Sequence, residues 1–215
     1  DTLARTVLFA IRLPRVLVVA LCGAALAAAG VVSQGLFRNS LASPSVLGTE
    51  AGGSLAAAVM FYFGAGYWHW LSLPLAAFLG ALAATSGLFF LAARRRAWSM
   101  ESLLLGGFAI NAMLGAGTSL VISLVLEDYQ KASAVMHWLL GGFAAKGYEH
   151  LAIAAIPTAA GAFVVYRLAP QLDVLALGED VASSLSIDMR RLRRQAIIGI
   201  SLLVGAAVSV AGAIP

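Results

Sequence analysis

The chain has little of what a soluble enzyme needs. Of its 215 residues only 11% are charged, one is cysteine and three are histidine. Cys22 lies inside an apolar run, so an internal disulfide is excluded and a thiolate metal cluster is disfavoured. No H-E-x-x-H, C-x-x-C or G-x-S-x-G pattern occurs, and no Gly-Lys-Ser/Thr phosphate loop, so the common hydrolase, redox and nucleotide-binding readings fail. His69, His137 and His150 stand near Trp or Tyr at the ends of apolar runs and read as interfacial residues, not metal ligands. No secretory signal is read at the start, where Arg5 precedes no small-residue cleavage site. The net charge of +4 comes from arginines clustered in connections. It reports membrane topology and gives no support for nucleic-acid binding.

What is present is apolar sequence. Hydrophobic residues make up 61% of the chain and the mean hydropathy is +0.92. Lipid must be the solvent for much of that surface. Crossing the hydrocarbon core takes about 20 apolar residues. On that measure six spans are expected: Val16–Leu36, Gly48–Trp68, Leu71–Ala93, Ser102–Leu126, Leu151–Leu168 and Ala196–Ile214. Pro14 suits the first helical turn of the first span. Gly48 and Gly52 form a G-x-x-x-G step in the second, and Tyr62, Tyr67, Trp68 and Trp70 form an aromatic belt at its end. The run Ala132–Ala145 is too short to span and reads as an interfacial or re-entrant helix. The fold class is therefore all-α, a polytopic helical membrane protein in a single domain over residues 1–215. Both ends stop abruptly in apolar sequence, as expected of a piece of a longer polytopic protein.

Counting charges orients the spans. Arg38, Arg94, Arg95, Arg96, Arg167, Arg190, Arg191, Arg193 and Arg194 fall on one side; Arg5, Arg12, Arg15, Lys131 and Lys146 fall on the other. The richer side is the cytoplasm by the positive-inside rule. The longest polar interval, about 171–195, lies on that side. Within it Leu177, Val181 and Leu185 recur at i, i+4, i+8 among Glu179, Asp180, Ser183 and Ser184, which predicts a short amphipathic helix bent at Gly178. Periodicity alone equally allows a solvated loop with an interfacial helix.

Polar residues inside the spans are few. Asn111, Gly115, Thr118 and Ser119 share one helical face, either a water-accessible path or a hydrogen-bonded packing seam. Gln34 is ambiguous in the same way.

The series Arg12-Leu-Pro-Arg15, Gly35-Leu-Phe-Arg-Asn39-Ser-Leu41-Ala, Pro44-Ser-Val-Leu-Gly48, Leu103-Leu-Leu-Gly-Gly-Phe-Ala109, Trp138-Leu-Leu-Gly-Gly142, Ala176-Leu-Gly-Glu-Asp-Val-Ala-Ser-Ser-Leu185 and Ala211-Gly-Ala-Ile214 is distinctive. It resembles the permease subunit of ATP-driven importers of iron chelates, haem and vitamin B12, across essentially the whole chain. It departs from that family at Ser40, Gly142 and Ser186, where Pro, Ser and Gly are usual. The resemblance implies a ten-helix inner-membrane permease, of which the first span and the last three are not in this sequence. It implies no cofactor, a permease homodimer, two copies of a cytoplasmic ATP-binding subunit and a periplasmic or lipoprotein substrate-binding protein. By the same likeness, Ala176, Leu177, Gly178, Glu179, Asp180, Val181 and Leu185 would couple to the ATPase. Asn39 and Leu41 would form a cytoplasmic gate, and Arg12 and Arg15 would dock the binding protein. The family's other gate position falls near Met100 and Glu101, where the sequence does not match. Similar permeases carry molybdate or tungstate, which stands as an alternative cargo. A membrane scaffold or channel working without an ATPase is the alternative from another class.

Overall fold

The computed structural model describes residues 2–65, 69–94 and 100–213. Among these residues the chain is helical and contains no strand. Five helices are long and apolar enough to cross a membrane: Ala4–Phe37, Ser72–Leu91, Ser102–Val125, Tyr148–Ala176 and Met189–Ala211. The aromatic pair Tyr67 and Trp68, together with Arg95, Arg96 and Ile214, lies outside the described residues.

The first helix differs from the expected span at its start. Helix α1 (Thr2–Thr6) runs through a π-helical turn, Val7–Arg12, into α2 (Leu13–Phe37). Pro14 therefore stands inside a continuous helix and not at its beginning. The wide turn carries the cost: Leu13 N–H donates to Leu8 O, five residues back, and in that register Pro14 would be the donor for Phe9 O. Proline has none to give. The Tyr148 hydroxyl donates to Phe9 O instead, at 3.0 Å. The 34 residues of Ala4–Phe37 make about 51 Å of helix. That exceeds a hydrocarbon core of about 30 Å, so one end projects beyond it.

The second expected span is shorter than the sequence suggests. Helix α3 is Thr49–Tyr62, 14 residues and about 21 Å long. Before it a 3-10 turn, Pro44–Leu47, ends at Gly48 in the left-handed region (φ 82°). Gly48 thus precedes the helix, buried, where a Cβ would fall 3.0 Å from Ile110 Cγ2. The close approach belongs to Gly52, which faces Gly80 of α4 (Ser72–Arg94).

The core is built on α9 (Met189–Ala211). Its Leu192, Ile200, Leu203 and Val204 are buried against Ala25, Ala29, Val32 and Leu36 of α2 and Leu168 and Leu175 of α7 (Tyr148–Ala176). A helix buried nearly all round is the centre of its bundle. Helices α5 (Met100–Val125) and α6 (Tyr129–Leu139) complete the packing around α3 and α4. Helix α6 is the short non-spanning element expected from the sequence, and Asp128 caps it by accepting from Gln130 N and Lys131 N at 3.1 and 3.2 Å.

Helix α7 continues eight residues past the expected end at Leu168. Its 29 residues make about 44 Å of helix. Gln171 and Asp173 face outward while Leu175 is fully buried, so tertiary packing extends the helix through polar sequence. The extension carries α8 (Glu179–Ser184) beyond the end of the apolar run at Leu168.

Candidate functional site

Helix α8 has six residues, shorter than the amphipathic segment expected. Leu177 caps α7, Gly178 (φ 130°) makes the bend, and Ser186 (φ 61°) turns the chain into α9. Ala182 is fully buried, whereas Leu177, Val181 and Leu185 are 72%, 39% and 61% exposed. The apolar stripe therefore points away from the protein's own core. Ala176 and Asp180 are exposed beside it.

The element is held by charge. The arginines of α9 occupy its first turns, the positive end of the helix dipole, where cations are disfavoured. Asp188 offsets this as the N-cap, accepting from Arg190 N at 2.9 Å and Arg191 N at 3.1 Å. Arg193, buried, donates to Glu179 Oε1 at 2.5 Å and so ties α8 to α9. Periodicity could not reveal this pair, because it joins two helices across a loop.

The connection after α2 is equally ordered. Arg38 ends the helix in the left-handed region (φ 48°), and Gln34 Nε2 donates to Ser40 O at 3.0 Å. Asn39 Oδ1 accepts from Leu41 N at 2.9 Å, an Asx-turn that presents Leu41 89% exposed. Asn39 is exposed as well.

The chain then packs against the middle of α5 (Met100–Val125). Asn111, about halfway along α5, donates through Nδ2 to Ser45 O at 3.1 Å and Val46 O at 3.3 Å. Irregular backbone at membrane depth needs such partners, because lipid offers none. Gly107 lets Val46 O lie against α5, since any Cβ there would collide with it. The rest of the expected stripe divides: Thr118 is buried and donates to Leu114 O of its own helix at 3.0 Å, while Gly115 and Ser119 are exposed. Asn111 also lines a cavity of about 490 Å³, together with Ser45, Val46, Glu50, Phe108 and Leu140. Glu50 was not among the residues expected from sequence. An acidic residue just inside an expected span was the signal available.

On the opposite side, Lys131 pairs with Asp128 at 3.6 Å and Lys146 is half-buried near Cys22. Burial pulls the Lys146 pKa below the usual lysine value. Arg12 and Arg15 are exposed, with no acidic partner among the described residues. Two of the quoted motifs, distant in sequence, also meet: Gly142 N–H donates to Ala211 O at 2.7 Å, joining the end of α6 to the end of α9.

The model of the FecCD transport family matches residues 1–215. The chain belongs to the FecCD transport family. It is 34% identical to the uncharacterized ABC transporter permease protein YvrB of Bacillus subtilis, over 100% of this chain and 61% of that protein. It is 36% identical to the vitamin B12 import system permease protein BtuC of Vibrio cholerae, over 100% of this chain and 63% of that protein. Among solved structures, an inward-facing metal-chelate type ABC transporter superposes with a TM-score of 0.92 at 28% identity, covering 100% of this chain and 67% of that one. The chain thus spans about three-fifths of the length of the curated relatives it matches. The family is one of transport proteins, and five helices of this member are long and apolar enough to cross a membrane.

Proposed function

We propose that the chain is the helical heart of an inner-membrane permease subunit that imports a metal chelate, either an iron chelate such as a siderophore or haem, or cobalamin. It works as a homodimer, with two copies of a separate ATP-binding subunit below and a substrate-binding protein outside. The observation that carries this reading is the outward-facing stripe of Leu177, Val181 and Leu185 on an element pinned by Glu179 and Arg193. An exposed apolar stripe beside the most arginine-rich segment calls for a protein partner on the cytoplasmic side. The test is ATP hydrolysis by the reconstituted full-length complex, with binding protein loaded from a panel of chelates. Stimulation of several-fold by one loaded form is expected; equal rates with loaded, empty and absent binding protein overturn the reading.

Asn39 and Leu41 narrow the inner end of the path where two copies meet. The support is Leu41, held almost fully exposed by a rigid turn on the side that the basic count makes cytoplasmic. Leu41→Cys in the full-length protein, cross-linked between copies, should block uptake until reduced. Full uptake by the cross-linked pair overturns the assignment.

Arg12 and Arg15 dock acidic residues of the binding protein. Both project unpaired among the described residues, while the Lys residues of that side are paired or half-buried. Charges at a rim govern association rate above all, so Arg12→Glu with Arg15→Glu should slow binding about tenfold at low salt. The difference should shrink above 0.1 M salt, where the screening length is about 10 Å. Normal association kinetics of the double variant at low salt would make the pair headgroup anchors.

A further inference from the structure

Glu50 is a half-buried acidic side chain that shares a cavity with Asn111 of α5. It lies in the first turn of α3, just after the 3-10 turn that Asn111 holds halfway along α5. Its half-buried carboxylate has no hydrogen bond or ion pair among the described residues. Ionisable groups inside a membrane are costly, and they persist where they face a path or a partner. Here the carboxylate lines the cavity of about 490 Å³.

Among the described residues, the rest of the lining adds acceptors and no cation. Asn111 spends its Nδ2 on the carbonyls of Ser45 and Val46, which leaves Oδ1 as its free polar atom. Ser45 Oγ is already paired with Ser43 Oγ at 2.7 Å. Among the described residues, lysine, arginine and histidine are absent from the lining. In surroundings of low dielectric one uncompensated carboxylate sets the sign of the whole cavity.

We propose that Glu50 makes this cavity charge-selective: it admits cationic and hydrogen-bond-donating groups of the cargo and excludes anionic ones. The proposal rests on the transport reading for its meaning, and it assigns Glu50 a role in specificity that the path's shape cannot supply. Cargo suited to such a site is a neutral or cationic chelate rich in N–H and O–H donors.

The test needs neither the ATPase nor the binding protein. Ser45→Cys is made in the full-length permease on a Cys22→Ala background, in membranes. Its modification rates are measured with a cationic and an anionic methanethiosulfonate reagent, each normalised to a free thiol. With Glu50 present the cationic reagent should be favoured about tenfold, the ratio that 1.4 kcal/mol of charge interaction produces. Glu50→Gln should bring the ratio close to one, and Glu50→Asp should keep most of it. Ala51→Cys, also in the lining, repeats the measurement should Ser45→Cys not insert. A ratio that Glu50→Gln leaves unchanged, or a thiol inert to both reagents at both positions, overturns the proposal. Either failure leaves the import reading standing, since loaded binding protein would still stimulate ATP hydrolysis.

Discussion

Gly52→Leu leaves little folded permease in the membrane, and Gly52→Ala already lowers its stability by about 3 kcal/mol, the upper range for overpacking. A Cβ at Gly52 collides with the carbonyl oxygen of Gly80 and falls 2.6 Å from Ala84 Cβ. Neither obstacle is the free end of a flexible side chain. Gly80 meets Gly52 O in the same way, so the two helices touch backbone to backbone and have no slack to give. Gly87→Ala, on the same α4 but with nothing within 4 Å of its Cβ, is the control, and should stay within about 1 kcal/mol of the parent because only helix propensity changes. Thermal unfolding in detergent of the three variants beside the parent checks the order. Equal midpoints for Gly52→Ala and Gly87→Ala would mean that α3 and α4 are not in backbone contact.

Leu177→Asp with Leu185→Asp should abolish coupled uptake while the permease still inserts. Both side chains are largely exposed, so the change costs the isolated subunit little. In the assembled importer the same positions would bury two unpaired carboxylates against the ATP-binding subunit, each worth well over 1 kcal/mol against binding. Co-purification of the ATPase and chelate uptake should both fall at least tenfold, about 1.4 kcal/mol for each decade. Ala182→Asp separates the two roles of the element. Ala182 is fully buried inside the permease, so this variant should weaken the fold itself. Unchanged assembly and uptake by the exposed double variant would reduce the element to a connecting loop.

Much of this architecture was legible because each decisive property was local. A run of about 20 apolar residues crosses lipid whatever surrounds it. Five of the six expected spans accordingly overlap helices long and apolar enough to cross, and the sixth, Gly48–Trp68, holds the 14-residue α3. The bend at Gly178 and the short helix near Tyr129–Leu139 follow equally from residues within a turn or two. Where helices begin and end was less legible. One span is expected over Gly48–Trp68, yet α3 ends at Tyr62 and starts behind a 3-10 turn whose carbonyls Asn111 satisfies from 65 and 66 residues away. No window of sequence contains both partners.

The functional residues divide along the same line. The order of motifs determined by itself the family, and composition the all-helical membrane class, since each depends only on residues along the chain. The direction in which a side chain points depends on what occupies its other side. Only the tertiary structure turned Leu177, Val181 and Leu185 outward, because Ala182 and Leu175 fill the core beneath them. Only it joined Glu179 to Arg193 and brought Asn111 to the broken helix. It also set Glu50 in a cavity rather than at an interface, since depth in a membrane is fixed by the helix a residue packs against and not by its neighbours in sequence.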